Sequence, residues 1–106
     1  MNIAIIGGGP SALFCVLNTD TKYNVTIYCK EEKLGKKILV TGNGRCNLSN
    51  TKISQDSYNK NLQSYWDRFN QHQTLDYFNS LGLEVYADEE GRVYPISNTA
   101  TSVVDV

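Results

Sequence analysis

Residue types and patterns that mark specialised proteins are scarce in this 106-residue sequence. Its three cysteines include no CxxC pair and there is a single histidine, so neither a metal site nor a disulfide framework is expected. Free thiols are typical of a reducing compartment, which predicts a cytoplasmic protein. No apolar run approaches the ~20 residues that a membrane span requires, so no membrane contact is expected.

An excess of charge of one sign is also lacking. Ten basic side chains face eleven acidic ones, for a net charge of −1, and this balance gives no long-range attraction to nucleic acid. Hydrophobic residues make up 41% and charged residues 20% of the chain, as in ordinary globular domains. A chain of this length predicts one small domain, over residues 1–106.

The first 28 residues carry the pattern of a strand, a helix and a second strand. Residues 3–6 are an apolar run, and residues 25–28 are mostly β-branched or aromatic, as in buried strands. Pro10 suits the first turn of a helix that should end near residues 18–21. Its apolar stripe is Ala12, Leu13, Val16 and Leu17. The sequence therefore predicts an α/β fold that opens with a Rossmann-like βαβ unit.

Helices and a small β-hairpin are predicted to follow a segment, residues 30–50, that is mostly loop. Apolar positions at helical spacing predict two successive helices, and Gly82 is expected to cap the end of the second. These positions are Leu62, Tyr65, Trp66 and Phe69 in the first helix and Leu75, Phe78 and Leu81 in the second. Residues 84–87 and 92–94 flank a turn with a glycine, which indicates a hairpin.

The last residues predict one more helix. Ser97 and Asn98 are good N-cap residues, and Val103 and Val104 would point inward from this helix. Two parallel strands cannot form a stable sheet alone, so the sheet is expected to be incomplete. Its uncovered edge predicts possible self-association.

The glycine cluster after the first strand predicts a phosphate site. Gly7-Gly8-Gly9-Pro10-Ser11-Ala12 matches G-x-G-x-x-A directly before a helix, where the dinucleotide fingerprint places it. Gly7 would allow the tight turn, Gly9 the approach of a pyrophosphate, and Ala12 the packing of helix on strand. We therefore expect Gly7, Gly9, Pro10, Ser11 and Ala12 to contact a dinucleotide, whose phosphates the free N–H groups of the helix would bind.

The fingerprint also requires an acidic residue at the tip of the second strand, to hold a ribose. That position is Cys29, and a thiol is a poor hydrogen-bond acceptor. Glu31 or Glu32 could replace it. Lys30 supports a second interpretation, in which a 2′-phosphate is bound and the ligand is NADP.

Residues 30–45 hold five cationic side chains against two acidic ones. Gly35, Gly42 and Gly44 would let the backbone approach a ligand, while Lys36, Lys37 and Arg45 would supply positive charge. The alternative from composition alone is a solvated, lysine-rich loop.

This segment also carries a family motif. Residues 33–50, KLGKKILVTGNGRCNLSN, resemble the signature of the YhiN/BaiN-like family of bacterial NAD(P)/FAD-dependent oxidoreductases, and the motifs TLDYF, GRVYP and SVVD follow in the family's order. The resemblance implies FAD as cofactor, a nicotinamide nucleotide as electron donor, and cofactor contacts from Lys36, Lys37, Thr41, Gly42, Gly44, Arg45, Cys46 and Asn47. The family's acidic residue at the strand tip is replaced by Cys29.

Family members are several times longer and contain an inserted second domain. The resemblance thus implies that residues 1–106 form the N-terminal part of an FAD-binding domain, with no visible catalytic acid or base and no activity by itself. The alternative is a non-catalytic NADP- or ADP-binding module, or a degenerate interaction module. Cys46 has no resolving partner, which favours packing over a redox role, and His72 is expected to be a surface or capping residue.

Overall fold

The predicted βαβ unit opens the chain in the computed structural model, which describes residues 1–106. Strands β1 (Asn2–Ile6) and β2 (Asn24–Tyr28) run parallel, with Asn2 opposite Asn24 and Ile6 opposite Tyr28. Helix α1 (Pro10–Leu17) connects them, and Asn18 is its C-cap residue. These elements confirm the prediction, because the apolar runs, Pro10 and the strand residues all favour the structure that the fold requires.

Past β2, the chain folds into 3-10 turns over Lys36–Gly44, interrupted where Thr41, Gly42 and Asn43 leave helical geometry. The short strand β3 (Ser49–Asn50) follows, in the segment for which the sequence predicted mostly loop and no strand. Two residues are too few for a strand pattern to show in the sequence. Strand β3 forms because Arg92 and Val93, in a later strand, pair with it.

The predicted hairpin consists of strands β4 (Val85–Ala87) and β5 (Arg92–Pro95), which pair so that Tyr86 lies opposite Tyr94. Together with β3 they form a three-stranded antiparallel sheet in the order β3-β5-β4. Gly91 has φ +83° in the turn between them. The hairpin prediction is confirmed.

Two helices lie between β3 and β4 in the sequence. Helix α2 is only four residues long (Gln63–Trp66), so it is shorter than the helix that the apolar positions from Leu62 to Phe69 predicted. Helix α3 (Gln71–Ser80) is capped by Asn70, whose side chain accepts hydrogen bonds from two backbone amides. Gly82 follows the end of this helix, as predicted, and has φ +90°.

Helix α4 (Thr101–Asp105) corrects one detail of the sequence analysis. Its N-cap is Ala100, which makes no side-chain capping bond, and not Ser97 or Asn98. Asn98 has φ +55° in the preceding turn. Val103 is buried as predicted, and Val104 is half-buried.

The buried core joins the 30–50 segment to the C-terminal half. It consists of Ile38, Cys46, Leu83, Ala100 and Val103. The stripe of α1 buries only Ala12, at 9% exposure. On the other face of the β1–β2 pair, Ile6 and Tyr28 are 82% and 59% exposed, so this sheet is covered on one face and incomplete as predicted. None of the helices is both long and apolar enough to span a bilayer.

The hairpin turn depends on one carboxylate. Asp88 Oδ2 accepts a 2.7 Å hydrogen bond from Arg92 Nε, and Asp88 Oδ1 accepts from the backbone amides of Glu90 and Arg92. Partial burial raises the pKa of Asp88, but the hydrogen bonds and charge of Arg92 outweigh it and hold the pKa below the ordinary 3.8.

Acid should therefore weaken the hairpin. Because the folded-state pKa of Asp88 is lowered, its stabilisation is complete above the unfolded-state value and is lost as pH falls through the lower folded-state value. We expect the free energy of unfolding to fall as pH drops below about 4. The Asp88→Asn variant should be less stable at neutral pH and lose less stability in acid. Urea denaturation across this range tests it, and identical pH profiles for the two proteins would contradict it.

Candidate functional site

The glycine turn between β1 and α1 is open to a ligand. Gly7 has φ +100°, and its amide continues the strand pairing by donating to Tyr28 O at 2.8 Å. Gly9 is the N-cap of α1, with φ −81° and ψ −179°. A Cβ added at either glycine would meet no atom within 4 Å. The backbone here is thus accessible from outside the chain.

Free amide donors lie next to this opening. Helix α1 has no side-chain cap, Pro10 carries no N–H, and the amides of Ser11 and Ala12 donate to no group in the chain. Unpaired N–H groups at a helix N-terminus, together with the helix dipole, favour an anion. Among the five predicted residues of this turn, Ser11 is exposed and Ala12 is buried, while Pro10 also lines an apolar groove on the other side of the helix.

Gly8 is a site residue that the sequence analysis missed. A Cβ at Gly8 would lie 2.6 Å from Leu34 Cδ2 and 2.8 Å from Cys29 Sγ. Gly8 O also accepts a 2.8 Å hydrogen bond from the amide of Gly35. The fingerprint allows any residue in this position, but a third successive glycine was a signal that another segment packs against it.

Lysines surround the open glycines. A cavity of about 380 Å³ is lined by the glycine turn, by Cys29 and by four lysines: Lys30, Lys33, Lys36 and Lys37. Of the predicted residues, the structure brings together Gly7, Gly9, Cys29, Lys30, Lys36 and Lys37 around this cavity. We call it the glycine-turn cavity. Its charge suits a diphosphate.

One carboxylate also lines this cavity. Glu31 Oε2 accepts a 2.9 Å hydrogen bond from Lys36 Nζ, and this bond, together with the negative charge of Glu31, raises the pKa of Lys36. Cys29 Sγ packs over Gly8 and offers no carboxylate to a ribose. Glu31, the acidic residue nearest to the strand tip, is therefore already paired with Lys36.

The other predicted residues form a separate tight turn. In the TGNGRCN turn, residues 41–47, Gly42 and Cys46 have φ +54° and +58°. The amide of Cys46 donates to Thr41 O at 3.0 Å, and Thr41 Oγ1 donates to Ile38 O at 2.7 Å. None of the seven residues lines the glycine-turn cavity.

Most side chains of this turn have partners within the fold. Arg45 lies over the ring of the buried Tyr94, with its guanidinium carbon 4.2 Å from the ring centroid. Cys46 is 8% exposed in the core. The Asn47 amide, oriented to satisfy its hydrogen bonds, donates to Ser49 O and Val93 O. Gly44 O accepts from the amide of Ala100 at 2.8 Å, which ties the turn to α4.

The remaining chemistry-bearing side chains do not converge. No group of three His, Cys, Asp or Glu residues is placed to hold a metal ion. His72 is exposed on α3 and only its backbone amide bonds the Asn70 side chain. The three cysteines are free thiols.

Comparison with known proteins gives one family. All 106 residues match the family described as HI0933-like protein Rossmann domain. The chain is 37% identical over 111 residues to the 3-dehydro-bile acid delta(4,6)-reductase of Clostridium scindens, an alignment that covers 98% of this chain and 27% of that protein. It is 30% identical over 107 residues to the ribosomal RNA dihydrouridine synthase of Escherichia coli, covering 96% of this chain and 26% of that protein.

A shorter match of 36% identity over 55 residues is to the ribosomal RNA dihydrouridine synthase of Haemophilus influenzae, covering 51% of this chain and 14% of that protein. The chain thus spans about a quarter of the length of the two curated relatives that it matches over nearly its whole length.

Proposed function

The chain belongs to the HI0933-like family of Rossmann domains, and from that premise we propose that it binds the diphosphate of FAD at its glycine turn, as the N-terminal portion of a flavin-dependent oxidoreductase. The predicted resemblance to the YhiN/BaiN-like flavoproteins is the same assignment, and it is confirmed.

One observation carries the proposal. The φ of Gly9 is ordinary for any residue, and a side chain there would touch nothing in the chain. Backbone strain does not require glycine at this position, and packing within the chain does not fill the space beside Gly9, which leaves it free for a ligand. A diphosphate that approaches the start of α1 would fit this space, because glycine has no side chain to block it.

Charge and hydrogen bonding support the same ligand. The free amides of Ser11 and Ala12 would donate to phosphate oxygens, and Lys30, Lys33 and Lys37 lie in the same cavity without an acidic partner. Lys36 would contribute once its bond to Glu31 opens. The TGNGRCN turn would contact a more distant part of the cofactor through Thr41, Gly42, Gly44, Arg45, Cys46 and Asn47.

For the whole protein we propose reduction of an organic substrate, with a nicotinamide nucleotide as the electron donor. FAD, when bound, supplies the electron transfer, while this part of the chain binds and orients its diphosphate. The two relatives bear the names of a reductase and of a dihydrouridine synthase. Residues 1–106 alone should be inactive, because the one carboxylate that lines the cavity, Glu31, is paired with Lys36. Oxidation of NADPH by this portion with FAD would refute that.

Equilibrium binding tests the proposed function. The protein should retain FAD through gel filtration and absorb at about 450 nm. ADP, which carries the same diphosphate, should compete with FAD for the site. A colourless protein that binds neither compound would contradict the proposal.

The cavity has no acidic residue at position 29 to bind a ribose. This favours a second candidate function, a non-catalytic module that binds ADP or NADP. Cys29 replaces the acidic residue, and Lys30 lies beside it in the cavity. A colourless protein that binds NADP more tightly than FAD would support this candidate over the flavoprotein.

We also propose that the protein is cytoplasmic, binds small molecules rather than nucleic acid, and self-associates through β1 and β2. The free thiols support the cytoplasmic location. The net charge of −1 supports small-molecule rather than nucleic-acid binding, and the exposed Ile6 and Tyr28 support self-association. Secretion of the native protein, salt-sensitive RNA binding, and a monomeric mass in light scattering would count against them in turn.

A further inference from the structure

Glu31 is the only carboxylate in the lining of the glycine-turn cavity. Glu32, the other acidic residue that the sequence offered in place of Cys29, is exposed and lies outside that lining. Cys29 itself packs over Gly8, so the thiol at the strand tip already has a contact within the fold. Of the two acidic residues that the sequence could not tell apart, only Glu31 therefore lies at the candidate site.

The carboxylate of Glu31 is only partly used within the chain. Its Oε2 accepts a 2.9 Å hydrogen bond from Lys36 Nζ, and its Oε1 accepts none. Lys36 also lines the cavity, so this bond holds the carboxylate among the lining residues. The side chains of Glu31 and Lys36 are 42% and 68% exposed, and an exposed ion pair contributes little to stability. Groups of a ligand can therefore replace both partners at a small cost in free energy.

A dinucleotide offers one replacement for each partner of this ion pair. Its phosphate oxygens accept hydrogen bonds from ammonium groups, and its ribose hydroxyls donate to a carboxylate near the tip of the second strand. Strand β2 ends at Tyr28, and Glu31 follows it by three residues in the same cavity lining. A carboxylate accepts hydrogen bonds through both of its oxygens, whereas a thiol is a weak acceptor.

We propose that Glu31 is the ribose-binding carboxylate of this chain and that it exchanges partners with Lys36 when a dinucleotide binds. This inference rests on the proposed function, because the diphosphate at the glycine turn brings the ribose to the cavity. Lys36 then donates to a phosphate oxygen, and Glu31 accepts from the 2′-hydroxyl of the ribose. The negative charge of Glu31 also repels a 2′-phosphate, so the site selects a ribose with a free 2′-hydroxyl, as in FAD, over that of NADP.

ADP and 2′-deoxy-ADP differ only in this hydroxyl and therefore isolate the contact. By calorimetry, the unaltered protein should bind ADP about tenfold more tightly than 2′-deoxy-ADP, because loss of the hydroxyl removes a hydrogen bond to a charged group. In Glu31→Ala the two affinities should become equal. This substitution also frees Lys36, but that change affects both nucleotides alike, so the ratio of the affinities reports on the ribose contact alone.

Glu32→Ala is the matched control, since it removes the same charge from an exposed position outside the cavity. It should keep the preference of the unaltered protein for ADP. Equal affinities for the two nucleotides in the unaltered protein, or an unchanged preference in Glu31→Ala, overturn this inference and leave the diphosphate site standing. Failure of both nucleotides to bind the unaltered protein contradicts the proposed function itself, and this inference with it.

Discussion

Gly42→Ala is expected to destabilise the protein by about 3 kcal/mol or more, as a lower free energy of unfolding in urea. Two effects add at this position. Gly42 has φ +54°, where an L side chain is strained, and a Cβ would lie 2.5 Å from the backbone nitrogen of Asn47. Backbone cannot move aside as a flexible side chain can, so the TGNGRCN turn must open.

The position of the turn in the core makes this effect large. Cys46, four residues after Gly42, belongs to the buried cluster with Ile38, Ala100 and Val103. Opening the turn therefore also disturbs the packing of α4.

Gly82→Ala is the matched control. Gly82 has φ +90°, but a Cβ there would meet nothing within 4 Å. Only the backbone strain applies, so we expect a loss of about 1 kcal/mol. Equal losses for the two variants would show that steric closure of the TGNGRCN turn plays no part.

Gly9→Ser should separate binding from folding. Serine is a good N-cap residue, and its hydroxyl would accept a hydrogen bond from a free amide of α1, so stability should rise by a few tenths of a kcal/mol. The same hydroxyl would occupy the phosphate position. We expect the affinity for ADP and for FAD to fall at least about tenfold, measured by calorimetry.

Gly8→Ala provides the contrast, because its Cβ would collide with Leu34 and Cys29 inside the fold. This variant should lose stability, whereas Gly9→Ser should lose only binding. An unchanged ADP affinity in Gly9→Ser would show that the phosphate does not bind at the start of α1, and it would contradict the proposed function.

Features that depend on residues close together in the sequence were predicted, and features that depend on contacts between distant residues were not. The start of α1, the end of α3 and the hairpin were predictable because each depends on neighbours in sequence: Pro10 at a helix start, Gly82 after a helix end, and Gly91 in a tight turn. The four-residue length of α2 was not, because an apolar spacing cannot show that Tyr65 remains exposed.

By itself the sequence determined the βαβ unit, the open glycines and the family, since local conformational preferences and a contiguous motif encode them. Only the tertiary structure decided which residues meet. It places four lysines around the glycine turn, Arg45 over Tyr94, and Cys46 in the core. These contacts join residues far apart in the chain, and the packing that brings them together leaves no periodic signal in the sequence.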